Sequence, residues 1–460
     1  MNAKIFPRWY FALLTVCLLA AGCHKNEPPP PTPRAAPEHP RIVSAEKNSF
    51  DEVTAKLDKG GNLFVYLSTE KALSGLSNGV PVLSNFVAAL PAVNQADREK
   101  MNHILDAFNN FAMGSGVRQI SGIGMSSIAR EPGFYYGKLV IHHYEGQNSG
   151  MIWSLFGSAP HPLETDLLPE STALAFFSDF DLLMAWTNVT QVVAGLDIPG
   201  ATNALDQAPA GFRQLTSLEL NDVLKSLGGA YGIIVMLDEH KKITLPVPGH
   251  PLELPSPGIA IVIKVNSDLI FNRVDEVTKG NVLVTRVDDP DFKMRTMNIP
   301  LPLPVDVRPS LARFGDYLVL ASSDTVARAI YAVKTGHEKG FAATDEFKKL
   351  SQDVPSKGNM SALLTGAFSR TMLKIRDQYS GQDDSAIHVY RQFLESNTNS
   401  IAYAVVANGP QGWEGFANGN HSLEALVVPA AVAAGTAAAV AIPNLMKAHE
   451  AASQPKSQQP

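Results

Sequence analysis

Ala173-Leu174-Ala175-Phe176-Phe177-Ser178-Asp179 is a short apolar, aromatic-rich run closed by a polar pair. Its length and composition read as a strand. Leu182, Leu183, Ala185, Trp186 and Val189 follow at helical spacing. The same phrase occurs twice more. Asn62-Leu63-Phe64-Val65-Tyr66-Leu67 precedes Ser68-Thr69-Glu70, a helix start. Met360-Ser361-Ala362-Leu363-Leu364-Thr365-Gly366 runs into Phe368, Met372 and Ile375. A Gly or Pro stands just upstream of each copy.

Two strand-like runs follow each phrase. They are residues 120–129 and 135–144 in the first copy, 231–237 and 259–265 in the second, and 401–407 and 413–417 in the third. A strand, one or two helices and an antiparallel pair make an α+β unit. The expected fold class is therefore α+β: repeated units of antiparallel strands with packed helices, plus a C-terminal apolar helix. Duplication of one unit and chance recurrence of a common phrase both account for the rhythm. Between the second and third copies, residues 268–277 have helical spacing, residues 316–323 read as a strand, and Val326, Ala329, Ile330 and Val333 line one helix face. The expected division is 42–165, 166–345 and 346–422 for three units, 423–447 for the apolar helix and 448–460 for a disordered tail.

The start of the chain has a different grammar. Lys4 and Arg8 precede an apolar run over residues 9–21, which ends in Leu18-Leu19-Ala20-Ala21-Gly22-Cys23. This layout is that of a secretory signal. It resembles the bacterial lipoprotein signal peptide over residues 1–22, with Ala20 standing where that family usually carries Leu. The resemblance implies that Cys23 is lipidated, with palmitate-type chains, and becomes the first mature residue. It also implies a cell-envelope location; His24 in place of Asp favours the outer membrane over the inner. Residues 23–41 then form a tether, in which Pro28, Pro29, Pro30, Pro31, Pro33, Pro37 and Pro40 enforce an extended polyproline-like path.

Two further resemblances concern the body and the end of the chain. Leu168-Pro169-Glu170-Ser171-Thr172-Ala173 and Gly315-Asp316-Tyr317-Leu318-Val319-Leu320-Ala321-Ser322-Ser323 resemble an uncharacterised family of exported bacterial proteins with repeated α+β units, over residues 168–350. That likeness implies an envelope location and no enzymatic role. Residues 425–446 carry no charge, between Glu424 and Lys447, and are interrupted by Pro429 and Pro443. With Gly419 five residues before Glu424, the segment resembles the N-terminal helix of type IV pilins and pseudopilins. Here it ends the chain, Asn420 replaces the usual aromatic or Met, and the spacing from Glu424 to Pro443 is two residues longer. Small residues such as Ala430, Ala434, Gly435 and Ala438 allow close helix packing. A membrane or assembly contact, a helix buried in the chain's own fold or an oligomer, and an alanine-rich disordered tail all stand as readings of it. A spanning helix would favour the inner membrane.

Composition bounds the chemistry. A formal charge of −6 offers no electrostatic footprint for nucleic acid. Charged residues are 18% of the chain, below the usual roughly 25%, which points to large buried surfaces or a face that meets lipid, ligand or partner. The two cysteines are Cys17 and Cys23, so the body holds no disulfide, thiol nucleophile or cysteine metal site. His142 and His143 are adjacent on a strand and face opposite ways, and His161, His240 and His250 stand isolated, so no metal site is expected. No Gly-x-Ser-x-Gly elbow or phosphate loop occurs, Gly228-Gly229 reading as a turn. Asp288-Asp289-Pro290-Asp291 and Asp383-Asp384 read as solvated turns. Residues 245–257 and Leu301, Leu303 and Val305 alternate aliphatics with prolines, so they are expected to be extended loops, available as contact surfaces or covering the core.

The expectation is a non-enzymatic envelope lipoprotein with a binding or scaffolding role and an unknown protein partner. It touches the membrane through Cys23 and requires no cofactor. A carrier of lipid or another apolar ligand, and a hydrolase without a recognisable motif, are the rival readings.

Overall fold

A computed structural model of the chain describes residues 48–70, 114–147, 150–156, 159–195, 200–245, 251–298, 307–379 and 400–421. The chain divides into two units, Met1–Lys47 and Asn48–Pro460, and every described residue belongs to the second. Cys23, the tether, Leu301, Leu303, Val305 and the segment 425–446 lie outside the described residues.

The fold is α+β, built on one antiparallel sheet. The first strand phrase forms β1 (Leu63–Ser68), and its following pair forms β2 (Gly122–Glu131) and β3 (Phe134–His142). After β4 (His161–Pro162), the second phrase forms β5 (Thr172–Asp179), with β6 (Leu227–Leu245) and β7 (Leu252–Val265). A meander follows: β8 (Val284–Asp289), β9 (Phe292–Met297), β10 (Ser310–Phe314) and β11 (Tyr317–Ala321). Then come β12 (Lys357–Gly358) and the third phrase as β13 (Met360–Leu364), with β14 (Ala402–Gly409) and β15 (Gly412–Gly419). Thirteen of these strands join in the order β1-β2-β3-β15-β14-β13-β5-β6-β7-β11-β10-β9-β8, while β4 and β12 pair separately. Each phrase strand therefore lies beside its own pair.

Alternation along the strands separates two faces. On one, Ala175 and Phe177, Ile234 and Met236, Ala260 and Val262, Val319 and Ala321 are buried in a single core. The helix Asp324–Lys334 closes it with Val326, Ala327 and Ile330, of which Val326 and Ile330 are on the spacing that the sequence displays. Its N-cap Ser323 accepts from the Val326 amide, satisfying one of the free donors of the first turn. The other face is less covered. Helices Leu220–Ser226 and Leu269–Val277 pack together at one end of it, where Leu227, Ile263, Ile270 and Leu311 surround buried Val265, Phe271 and Leu318. Further along, Ile233, Ile259, Ile261 and Leu320 stay 40–51% exposed.

Two expectations are corrected. Residues 252–257 are not a loop: they form the first half of β7, with Pro255 paired to Lys242 and Pro257 to Leu237. The reason lies in the neighbours. On its other side β7 meets β11 only from Ala260 to Lys264, so its proline half has one partner strand. The Ile259 amide points away from β6, donating to Ser322 Oγ, and Pro255 and Pro257 share its phase. Their missing donors thus face the open side, where proline costs nothing. Gly229, at φ 80°, likewise sits inside β6, in a stretch where the register with β7 shifts, and not in a turn before it.

Candidate functional site

Antiparallel pairing gathers the polar and aromatic residues at one end of the sheet. There β3, β14 and β5 end, while β2, β15 and β13 begin. His142 lies opposite Gly122 on one side and Gly412 on the other, and is 0% exposed. Its Nδ1 lies 2.6 Å from Ser121 Oγ, which is also 3.2 Å from the His142 carbonyl. The ring's Nε2 is buried without a hydrogen-bond partner. Burial, reinforced by the charge of Lys56, holds the His142 pKa below its ordinary 6.5. The ring is neutral at physiological pH.

His143 faces the other way, as strand alternation requires. Its ring centroid is 4.5 Å from that of Trp153, and its Nδ1 donates to the Tyr144 carbonyl at 2.8 Å. Trp153 contacts Trp413 at 5.3 Å, Trp413 contacts Phe156 at 5.7 Å, and Phe156 contacts Phe180 at 5.4 Å. This aromatic row runs from the end of β3 to the end of β5. It is pinned by Trp153 Nε1, which donates to the Gly116 carbonyl at 3.1 Å. Gly116 and Gly150 meet backbone to backbone: a Cβ on Gly150 would fall 2.0 Å from Gly116 Cα.

A second polar knot lies beside the row. Asp179 is nearly buried and accepts from His161 Nε2 at 2.8 Å and from Asn359 Nδ2 at 2.9 Å. The other His161 nitrogen donates to the Pro162 carbonyl at 3.0 Å. Burial opposes a charge on His161, but the bonds to Asp179 and Pro162 outweigh it and raise its pKa above 6.5. Both ring nitrogens face acceptors, the arrangement an imidazolium needs. Asn359 Oδ1 accepts from the Asn408 amide, and Asn408 Nδ2 donates to the Phe156 carbonyl. Between Phe156, Asn359, Met360, Val406, Asn408 and Trp413 lies a cavity of about 20 Å³, room for one water. Across the end, the Tyr144 hydroxyl donates to Glu70, and burial together with that carboxylate raises its pKa.

The Ser121–His142 pair is closed to solvent. Ser121 is 3% exposed, and it meets Nδ1 of a histidine whose Nε2 has no carboxylate. No group of three or more metal-ligating side chains occurs among the described residues, and no helix among them is long and apolar enough to cross a membrane. The adjacency of His142 and His143 was legible in sequence. The Ser121–His142 and His161–Asp179 pairs were not, since neither spacing carries a motif.

The open surface is elsewhere. Ile233 is in register with Ile261, and Ile261 with Leu320, so three exposed aliphatic side chains stand abreast on β6, β7 and β11. Ile259 flanks them, and half-buried Phe176 on β5 continues the row opposite Ile233. No family model, curated protein or solved structure matches this chain.

Proposed function

We propose that this protein is a non-enzymatic envelope lipoprotein, anchored through Cys23, whose body binds or scaffolds through the apolar sheet face. The observation that carries the reading is the exposed row Ile233–Ile261–Leu320, set against a Ser121–His142 pair that is buried. Contiguous exposed aliphatics on a soluble surface mark contact sites. A Ser–His pair without access or an orienting acid does not make a nucleophile. The three triplets β1-β2-β3, β5-β6-β7 and β13-β14-β15 also support duplication of one α+β unit, because each repeats the same local pairing.

The carrier reading draws on the same face. The 20 Å³ cavity among the described residues has no room for an acyl chain, and the carrier reading places its ligand on the open surface.

The anchor is tested by fractionating cells that produce the chain with and without Cys23→Ser. The expected result is an acylated mature amino terminus and a membrane-bound protein that the substitution releases. An unmodified Cys23 overturns the lipoprotein reading. Turnover of an ester or peptide panel that Ser121→Ala abolishes would overturn the non-enzymatic one.

A further inference from the structure

We infer that the outer edge of β1 is a self-pairing edge, where a second copy of this chain adds its own β1 antiparallel about a two-fold axis at Tyr66. The inference goes beyond the apolar sheet face and rests on neither that face nor Cys23.

The first observation is where the backbone of β1 points. The Thr69 amide donates to the Ser121 carbonyl, continuing the register that sets Ser68 opposite Gly122. Deeper in the sheet, the His143 amide donates to the Gln411 carbonyl on the β15 side, and the registers from β3 to β2 and from β2 to β1 carry the same phase outward. Antiparallel ladders alternate. The odd-numbered residues of β1 therefore bond to β2, while Phe64, Tyr66 and Ser68 turn their N–H and C=O groups away from it. Asn62, just before the strand, turns its amide back to the Ser127 carbonyl. Among the described residues, no strand pairs with the outer edge of β1.

The second observation is the lack of any shield. A row of open donors and acceptors is a template for another strand, and edges ordinarily carry charge, proline or a bulge against it. Leu63-Phe64-Val65-Tyr66-Leu67-Ser68 has no charge and no proline, and its register with β2 is unbroken. The opposite edge of the sheet differs. There β8 carries Arg286, Asp288 and Asp289, with Arg286 paired to Asp275 and Asp288 to Arg295. Both faces of β1 also show apolar side chains: Phe64 on one, Val65 and Leu67 on the other, 39–56% exposed. Exposed Phe50 stands edge-on to Tyr66 at 5.1 Å and widens the apolar margin.

The third observation selects a second copy as the occupant. Centred on Tyr66, the pairing sets Phe64 opposite Ser68 of the second copy and Tyr66 opposite its own counterpart. Every outward residue then both donates and accepts. Centred on Val65, Ser68 would instead meet Asn62, whose amide is already engaged. In the Tyr66 register Val65 faces Leu67 of the second copy, aliphatic against aliphatic, and no charge meets its like. A head-to-tail contact with β8 would set this uncharged strand against Arg286 and Asp288 and leave the assembly open-ended, whereas the two-fold contact closes.

The test uses the full chain carrying Cys17→Ser and Cys23→Ser, which removes acylation and leaves introduced thiols as the only ones. Val65→Cys and Leu67→Cys proteins are oxidised separately and as an equimolar mixture. Across the inferred interface these two positions face each other with Cα atoms about 4.5 Å apart, within disulfide reach. Each meets its own counterpart only on a diagonal of about 7–8 Å, which is too long. The expected result is a mixed disulfide dimer that forms at least tenfold faster than either homodimer. Sedimentation of the thiol-free chain gives the second readout. Ser68→Pro removes an outward donor and no bond to β2, so it should weaken dimerisation at least tenfold and leave the circular dichroism unchanged. Val65→Lys, which brings like charges together across the axis, repeats the measurement should the proline perturb folding. A chain that stays monomeric overturns the inference, as does a dimer that both substitutions leave intact, or mixed dimers that form no faster than homodimers. Slow hydrogen exchange at the Phe64, Tyr66 and Ser68 amides of a monomer overturns it too, because the chain's own residues would then cover the edge. None of these readouts depends on acylation or on Ile233, Ile261 and Leu320, so the inference fails or succeeds separately from the proposed function.

Discussion

Ser121 Oγ lies 2.6 Å from His142 Nδ1, both side chains shut inside the end of the sheet, and the opposite ring nitrogen of His142 has no partner. A bond this buried is a fixture of the fold, and it sets how the protein responds to acid. Because the folded pKa of His142 is depressed, the unfolded chain binds more protons below about pH 6.5. Stability should decline as pH falls from that value toward the depressed one. Denaturant titrations between pH 7 and 4.5 should show the loss, and His142→Leu should reduce it. Ser121→Ala, which strands a second ring nitrogen, should cost about 1–3 kcal/mol at neutral pH.

His161 has the opposite sign. Its folded pKa is raised, so its contribution is complete below about pH 6.5 and disappears as pH climbs through the raised value. Imidazole NMR should find His161 still protonated where an exposed histidine is not. In Asp179→Asn that elevation should vanish. Asn359 and His161 would then both lose a carboxylate acceptor, at a cost of about 3 kcal/mol.

Gly150 tolerates no side chain. A Cβ there would overlap Gly116, so Gly150→Ala must push the two loops apart and break the bond from Trp153 to the Gly116 carbonyl. The expected loss is about 2 kcal/mol, accompanied by red-shifted tryptophan emission as Trp153 gains water. Unchanged emission and melting temperature would refute the backbone contact.

Ile261 and Val262 are consecutive on β7 but separated by the sheet. Val262 is 2% exposed in the core, whereas Ile261 is 40% exposed. Val262→Asp buries an unpaired charge and should cost more than about 4 kcal/mol. Ile261→Asp should cost less than about 1 kcal/mol while abolishing whatever contact the face makes. Comparable losses would mean that the face is already interior.

How much of this was readable beforehand depends on distance along the chain. The strand phrases at Leu63, Thr172 and Met360 and the buried spacing of Val326, Ile330 and Val333 are local patterns, and they form the elements that they imply. The prolines at 255 and 257 misled because a missing donor matters only on a side that is paired, and pairing is not a local property. The junction of β5 with β13, Phe176 beside Ala362, has no trace in either segment. His161 and Asp179 meet because β4 and the end of β5 converge, a consequence of topology. The exposure of Ile233, Ile261 and Leu320 was equally hidden: alternating aliphatics look alike whether or not a helix covers them.

The order of strands also sets a timetable for synthesis. The inner edge of β3 is completed by β15, and β5 by β13. A ribosome needs on the order of tens of seconds to make the roughly 270 residues between His142 and Gly412, at about 5–20 residues per second. Throughout that interval β3 offers unpaired backbone on its inner edge. A nascent chain of this kind favours a holding factor, or a wait in an unfolded state, over early collapse of its first triplet.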